Sequence, residues 1–182
     1  MDETRLKIRL FSDPVLRKKS RLVKQVNAQR QDILTQMSRI MYDFSGIGLA
    51  APQVGINESM IVVDVGTGLY KLINPKITKK QGSGVMEEGC LSVPGVCIKI
   101  KRAKKVLIKA LDDTGKPVTI EAEDLLARVF QHEIDHLKGK LIVDYASLFA
   151  KLKIAGALEA LTEKVANERV PQSETKSCKL QL

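Results

Sequence analysis

The two histidines of this 182-residue chain stand four residues apart in the run QHEIDHLKG. Four residues on an α-helix turn through about 400°, so His132 and His136 lie about 40° apart on one face and can bind one metal ion together. Glu133 is close enough to act on a water molecule at that ion. The alternative is that both histidines lie on a helix surface, hydrogen-bonded and without a metal ion. This alternative is disfavoured because both histidines of the chain stand in this geometry.

Two carboxylates flank the histidines, and helical geometry alone does not decide which one is the general base. Asp135 lies about 60° from His132 on one flank, and Glu133 lies about 60° from His136 on the other. We favour Glu133 because its longer side chain reaches further towards a water beyond the ligands. The shorter Asp135 suits an ion pair beside the ligands.

A catalytic site of this kind normally uses three protein ligands and leaves one position for water. Cys90, in the run EEGCLSVPG, is the best remaining soft donor, because the adjacent glycine and the Pro94-Gly95 turn indicate a loop with close backbone approach. A small core residue is the alternative interpretation of this cysteine. Cys97 falls on an alternating strand and Cys178 near the end of the chain, so both are predicted not to be ligands.

A third unusual stretch, SGIGLAAPQVG, combines glycines and alanines that let the backbone approach a ligand closely. Gln53 within it offers an amide donor. A simple turn is the alternative. A phosphate-binding loop is excluded because no Gly-Lys-Ser/Thr follows.

Lys and Arg outnumber Asp and Glu by 30 to 21, which gives a formal net charge of +9, and the densest basic run is IKIKRAKKVLIK. Such a charge favours acidic partners, among them RNA or a ribosome surface. A solvated strand face is the stronger interpretation, because an aromatic content of 4% offers few platforms for base stacking. We therefore expect no recognition of a specific nucleic acid sequence.

Length and composition suit one domain with its own core. We predict a single catalytic domain over residues 1–170 and a mobile tail over residues 171–182, which have no sustained apolar period. The first ten residues contain no apolar signal segment, and no stretch approaches the ~20 apolar residues needed to span a bilayer. A cytoplasmic protein with no membrane partner is expected.

The order of the predicted helices and strands that must position these groups indicates an α+β fold. We expect antiparallel strands around a central metal-binding helix, with a further helix at the C-terminus. Helical spacing predicts helices from Asn27 to Phe44, from Glu123 or Asp124 to Lys138, and from a Ser147 cap to about Glu168. Strands are predicted for residues 5–10, MIVVDV, LYKLIN, VCIKIKR, KVLIKAL and VTIEA. The lack of regular strand-helix alternation disfavours a doubly wound parallel sheet.

Taken together, GIGLAAPQVG, EEGCLS and QHEIDHL resemble, in order and separation, the three signature motifs of the bacterial-type peptide deformylases. The resemblance extends from DPVLR near the start of the chain to the helix after DYASL. It implies the fold of that family and a metal-dependent removal of the formyl group from the formyl-methionine terminus of newly made polypeptides, with release of formate.

The resemblance also implies a role for each motif residue. It assigns the metal to Cys90, His132 and His136, acid-base catalysis to Glu133, and oxyanion donation to the Gln53 amide and the Leu91 backbone N–H. It implies that Gly46-Ile47-Gly48 and the strand before Cys90, with Glu88 and Gly89, grip the substrate backbone like neighbouring strands. Arg102 resembles the family arginine that pairs with Glu88.

Leu125 and Val129 share the histidine face of the predicted helix, so they can wall a pocket for the methionine side chain. Arg128 falls on the same face, where an apolar pocket would prefer an aliphatic residue. Two positions are open to it: it reaches the rim and meets a substrate carbonyl, or it extends to solvent.

A thiolate with two imidazoles accepts Fe²⁺, Zn²⁺, Ni²⁺ or Co²⁺, and the resemblance implies Fe²⁺ as the native ion. The implied partners are formyl-methionyl nascent polypeptides and, given the basic charge, the ribosome surface near the exit tunnel.

Three alternative functions stay open. One is a His-Glu-x-x-His zinc metallopeptidase, which the lack of a further histidine disfavours. Another is a structural metal site in an RNA- or ribosome-binding module, in which Glu133 would have no purpose. The weakest is a cysteine hydrolase using Cys90.

Overall fold

The computed structural model of the protein describes residues 6–166. Within this range lie three α-helices and seven strands. The helices are α1 (Ala28–Asp43), α2 (Asp124–His136) and α3 (Leu148–Ala166). The strands are β1 (Gly48–Ala50), β2 (Met60–Val63), β3 (Tyr70–Gln81), β4 (Gly84–Glu88), β5 (Ile98–Arg102), β6 (Lys105–Leu111) and β7 (Pro117–Glu123). The predicted α+β class is confirmed.

A five-stranded antiparallel sheet has the order β1-β2-β3-β6-β7. Strands β2 and β3 form the predicted hairpin, with Val63 opposite Tyr70. Strands β6 and β7 form another, whose turn is held by Asp112: its Oδ1 accepts from the backbone N–H of Thr114 and of Lys116, each at 2.9 Å. A short polar side chain that bonds the backbone ahead of it is typical of such turns.

A separate two-stranded sheet pairs β4 with β5 in antiparallel register, from Gly84 opposite Arg102 to Glu88 opposite Ile98. Strand β5 alternates buried and exposed residues, with Ile98, Ile100 and Arg102 inside. Its buried face packs against residues beyond α2, whereas β6 packs in the large sheet. Two strands that adjoin in sequence therefore belong to different sheets.

The helix predictions were confirmed at their starts. Asn27 caps α1 by accepting from the Arg30 N–H at 3.2 Å, and the Ser147 hydroxyl accepts from the Ala150 N–H at 3.2 Å before α3. Helix α2 ends at His136, earlier than predicted. The chain turns away directly afterwards, where Gly139 has a φ of +71°.

One predicted strand was wrong: residues 6–10 form no strand, although the Arg9 N–H donates to the Gln53 carbonyl at 2.7 Å. Gln53 belongs to a short 3-10 helix, which is no strand edge, so the described residues provide no strand pairing there. The predicted end of α3 at Glu168 and the tail over residues 171–182 lie outside the described residues. In the described part of the chain, no helix is long and apolar enough to cross a membrane.

The buried apolar residues form three clusters, and the first contains residues of α2. Val129, Phe130 and Ile134 pack against the five-stranded sheet in the first cluster. Cys90 belongs to the second, with the buried face of β5, and Leu91 belongs to the third, with α1 and β2. The loop carrying Cys90 and Leu91 is therefore held between two cores, directly beside the histidine helix.

Candidate active site

Cys90, His132 and His136 form one buried cluster, with their potential ligand atoms all within 4.8 Å of one another. The two histidines come from successive turns of α2, and the cysteine follows β4. The Nε2 atoms of His132 and His136 are 3.2 Å apart, and Cys90 Sγ lies 3.3 Å from His136 Nε2. The structure thus brings together the three residues that the sequence singled out as candidate ligands.

These spacings fit a single metal ion. In a tetrahedral site with metal–nitrogen distances of about 2.0–2.1 Å and metal–sulfur distances of about 2.3 Å, neighbouring donor atoms lie about 3.3–3.6 Å apart. Burial raises the pKa of the Cys90 thiol to about 12. A coordinated cation reverses this effect by stabilising the thiolate. The donor set of one sulfur and two imidazole nitrogens suits a borderline divalent ion.

The Glu133 carboxylate lies buried beside this cluster without a partner: neither of its oxygens has a hydrogen bond from a described residue. The side chain is fully buried, and burial raises the pKa of this carboxyl well above its usual value. A buried carboxyl without donors is costly unless a water, substrate or cation meets it. Glu133 is therefore available to accept a proton.

Asp135 has a different environment. Its Oδ2 accepts from the Tyr145 hydroxyl at 2.6 Å and pairs with Arg102 at 2.5 Å. The Arg102 guanidinium also lies over the Tyr145 ring, 5.0 Å from its centroid. Asp135 is thus committed to an ion pair, as its shorter reach suggested. Of these two carboxylates, Glu133 is the one without a hydrogen-bond partner among the described residues.

Glu88 orients the first histidine of the cluster. Its Oε2 lies 3.1 Å from His132 Nδ1, and its two oxygens accept from Arg102 at 2.8 and 2.9 Å. Burial raises the pKa of Glu88, but the hydrogen bonds of His132 and Arg102 outweigh it and hold that pKa at about 2. A carboxylate at Nδ1 leaves the Nε2 lone pair for a metal ion.

Arg128 takes neither of the two positions predicted for it. Its side chain is buried, donates to Glu88 Oε1 at 2.6 Å, and reaches two backbone carbonyls of the small sheet. Burial became possible because a carboxylate and two carbonyls supply acceptors that no helix projection reveals.

Gln53 is fixed on both sides of its amide. Its Oε1 accepts from the Ala50 N–H at 2.8 Å, and its Nε2 lies 3.6 Å from Cys90 Sγ and 3.3 Å from Ser92 Oγ. The Gln53 N–H groups therefore point at the cysteine loop. Sequence reasoning missed Ser92, although the residue stands inside the EEGCLS motif. Tyr145 carried no sequence signal.

The glycine stretch lies against this site. A Cβ at Gly46 would come within 2.9 Å of Leu91 Cδ1, and a Cβ at Gly48 within 2.3 Å of Glu133 Oε1 and 2.8 Å of Val129 Cγ1. Ile47 between them packs on the first cluster, as does partly buried Leu125. Gly89 is buried next to Cys90.

Gly48→Ala is expected to lower kcat by about 100-fold, because the added methyl must displace the Glu133 carboxylate and small misplacements of catalytic groups have effects of that size. Steady-state formate release measures the change. Gly156→Ala on α3 is the matched control, since a Cβ there meets no described atom within 4 Å. Parent turnover in Gly48→Ala would show that Glu133 does not need this space.

A buried Cys-His-His cluster beside an unpartnered carboxylate defines the class: a metal-dependent hydrolase. The sequence profile of the polypeptide deformylase family matches residues 5–151. A peptide deformylase of Halothermothrix orenii is 51% identical over 141 residues, which cover 76% of this chain and 92% of that protein.

Solved structures agree. A peptide deformylase from Legionella pneumophila superimposes with a TM-score of 0.83 at 40% identity, covering 91% of this chain and 99% of that one. A Synechococcus elongatus peptide deformylase in complex with actinonin superimposes with a TM-score of 0.81 at 39% identity. The match covers 89% of this chain and 88% of that one. The chain therefore belongs to the polypeptide deformylase family, metal-dependent hydrolases that remove the N-formyl group from nascent polypeptides.

Proposed function

We propose that this chain deformylates formyl-methionyl polypeptides with a divalent ion held by Cys90, His132 and His136 and with Glu133 as the acid-base group. The observation that carries the proposal is the buried Glu133 carboxylate, which has no hydrogen-bond partner among the described residues and adjoins three converging metal donors. A purely structural metal site has no use for such a carboxylate.

When bound, the ion supplies Lewis-acid chemistry that acidifies water and polarises a carbonyl. Glu133 takes the proton of the water that attacks the formyl carbon, and later returns it to the leaving amine. The Gln53 amide and the Leu91 backbone N–H donate to the oxygen on which negative charge develops. Each such donor typically stabilises the transition state by about 3 kcal/mol.

The peptide backbone aligns between two strands. Among the described residues, β1 is the terminal strand of the large sheet, and β4 pairs with β5 alone. Within the Gly46–Gly48 stretch, the Gly46 N–H already donates to the Met41 carbonyl at 2.8 Å, and the Ile47 carbonyl accepts from the Asp64 N–H at 3.0 Å. The edges proposed for the substrate are therefore that of β1 at Gly48 and that of β4 with Gly89. An extended peptide can add to such edges as a further strand.

Formyl-Met is expected to be preferred over formyl-Gly or formyl-Glu at the first position, because Leu125 and Val129 wall the pocket for its side chain. Burying a side chain of that size contributes about 1.5–3 kcal/mol, or roughly 10- to 150-fold in kcat/KM. The measurement compares kcat/KM for three formylated peptides that differ only in the first residue (Met, Gly or Glu), under one set of conditions. Equal kcat/KM values for all three would remove the pocket assignment.

Iron(II) is the proposed native ion, on the basis of the soft donor set and the family resemblance; Zn²⁺, Ni²⁺ and Co²⁺ fit the same donors. The ribosome surface near the exit tunnel is a proposed partner, supported by the +9 charge and by the exposed Lys99 and Lys101 of β5. We further propose a cytoplasmic location, where nascent chains are made, and a single catalytic domain.

The decisive experiment is metal analysis of anaerobically purified protein together with formate release from formyl-Met-Ala-Ser. One iron per chain, formate release and loss of activity with a chelator are expected. Zinc in place of iron would contradict the choice of ion alone. Cleavage of an internal peptide bond without formate would favour the zinc metallopeptidase, and activity that survives the chelator would favour a cysteine hydrolase.

A further inference from the structure

Arg128 connects the metal-binding helix to both strands of the small sheet. It lies one turn before His132 on α2, and its side chain is 6% exposed. Its Nη1 donates to Glu88 Oε1 at 2.6 Å and to the Ile100 carbonyl at 3.0 Å, and its Nη2 donates to the Gly84 carbonyl at 2.9 Å. One guanidinium therefore contacts both ends of β4 and the middle of β5.

Apart from the contacts of Glu88 with Arg102 and His132, strand β4 is weakly anchored. A two-stranded sheet is marginally stable by itself. Val85 and Met86 of β4 are 64% and 46% exposed, so this strand buries little apolar surface. Its neighbour β5, by contrast, buries Ile98 and Ile100 in the second cluster. At its Glu88 end β4 also contacts His132 of α2. The position of its Gly84 end relative to α2 thus depends on the pairing with β5 and on the arginine fork.

The orientation of the proposed metal ligand His132 by Glu88 does not depend on Arg128. Arg102 binds both oxygens of Glu88, and Glu88 Oε2 contacts His132. Without Arg128, Glu88 keeps a charged partner and its contact with the histidine. The loss is concentrated on the two carbonyls of the small sheet.

We propose that Arg128 is a positioning residue for the substrate: it holds β4 in place as the strand along which the formylated peptide aligns. The inference rests on the proposed function. Three acceptors on two strands require a planar fork of N–H donors, which arginine has and the point charge of lysine lacks.

The test compares Arg128→Met and Arg128→Lys with the parent protein. Both are expected to raise KM for formyl-Met-Ala-Ser by about 10-fold, with kcat nearly unchanged, which is the signature of lost substrate binding. The increase should be smaller for formyl-Met alone, which does not run along β4. Metal content should stay at the parent value, and amide hydrogen exchange across residues 84–88 should accelerate.

Lys76→Met is the matched control, because it removes a positive charge from an exposed position on β3 of the large sheet. It is expected to keep the parent KM and exchange rates. Arg128→Lys keeps the buried charge, so it remains informative if Arg128→Met fails to fold.

Several outcomes would overturn the inference. Loss of metal, or a lower kcat at unchanged KM, would mean that Arg128 acts on the metal site through Glu88. Full recovery of KM in Arg128→Lys would mean that charge alone suffices, and parent KM in both variants would mean that β4 does not need the fork. A parent protein that releases no formate would contradict the proposed function instead, and hydrogen exchange would still test the link to β4.

Discussion

Glu133→Ala is expected to keep its metal ion and to lose turnover by about 10²- to 10⁴-fold, the range that a general acid-base group contributes. The reason is that both Glu133 oxygens lie buried without a partner among the described residues, while the metal donors are other side chains. The measurement pairs metal content with kcat for formyl-Met-Ala-Ser. His132→Ala and His136→Ala should lose both quantities.

Glu121→Ala serves as the control, because Glu121 is an exposed carboxylate on β7, a strand that contributes no residue to the metal cluster. It is expected to keep parent turnover. Formate release from Glu133→Ala at near the parent rate would mean that another group, such as Asp135, is the base. Loss of metal from Glu133→Ala would mean that Glu133 is a ligand.

Cys90→Ser is expected to weaken metal binding by more than about 100-fold and to abolish activity at ordinary metal concentrations. Loss of residues that only support a ligand already costs 10- to 100-fold in affinity, and Cys90 Sγ stands 3.3 Å from His136 Nε2 within the cluster itself. A serine hydroxyl is a poor substitute for a thiolate with borderline ions. Metal content after dialysis and competition with a chelator measure the effect.

Cys97→Ser is the comparison for this variant, because Cys97 lies outside the metal cluster. It should retain the metal. Full metal retention with normal turnover in Cys90→Ser would remove the cysteine from the ligand set and reopen its interpretation as a small core residue.

Local pattern was enough to predict most secondary structure. Helix capping by Asn27 and Ser147 and the alternation of β5 and β6 depend on neighbours within a few residues, so the sequence carries them directly. Residues 6–10 alternate like a strand, but pairing requires a partner edge. Among the described residues, this segment has no strand partner, although the Arg9 N–H donates to the Gln53 carbonyl.

The sequence by itself determined the site's main chemistry, because the four-residue spacing of His132 and His136 on a helix brings two donors together without tertiary information. Only the tertiary structure decided what surrounds them. In the folded chain, Cys90 lies beside the two histidines, and Asp135 forms an ion pair with Arg102. Glu133 has no hydrogen-bond partner among the described residues. The fold also buries Arg128 against the small sheet. These outcomes depend on acceptors and charges distant in sequence, and only packing brings them within hydrogen-bond reach.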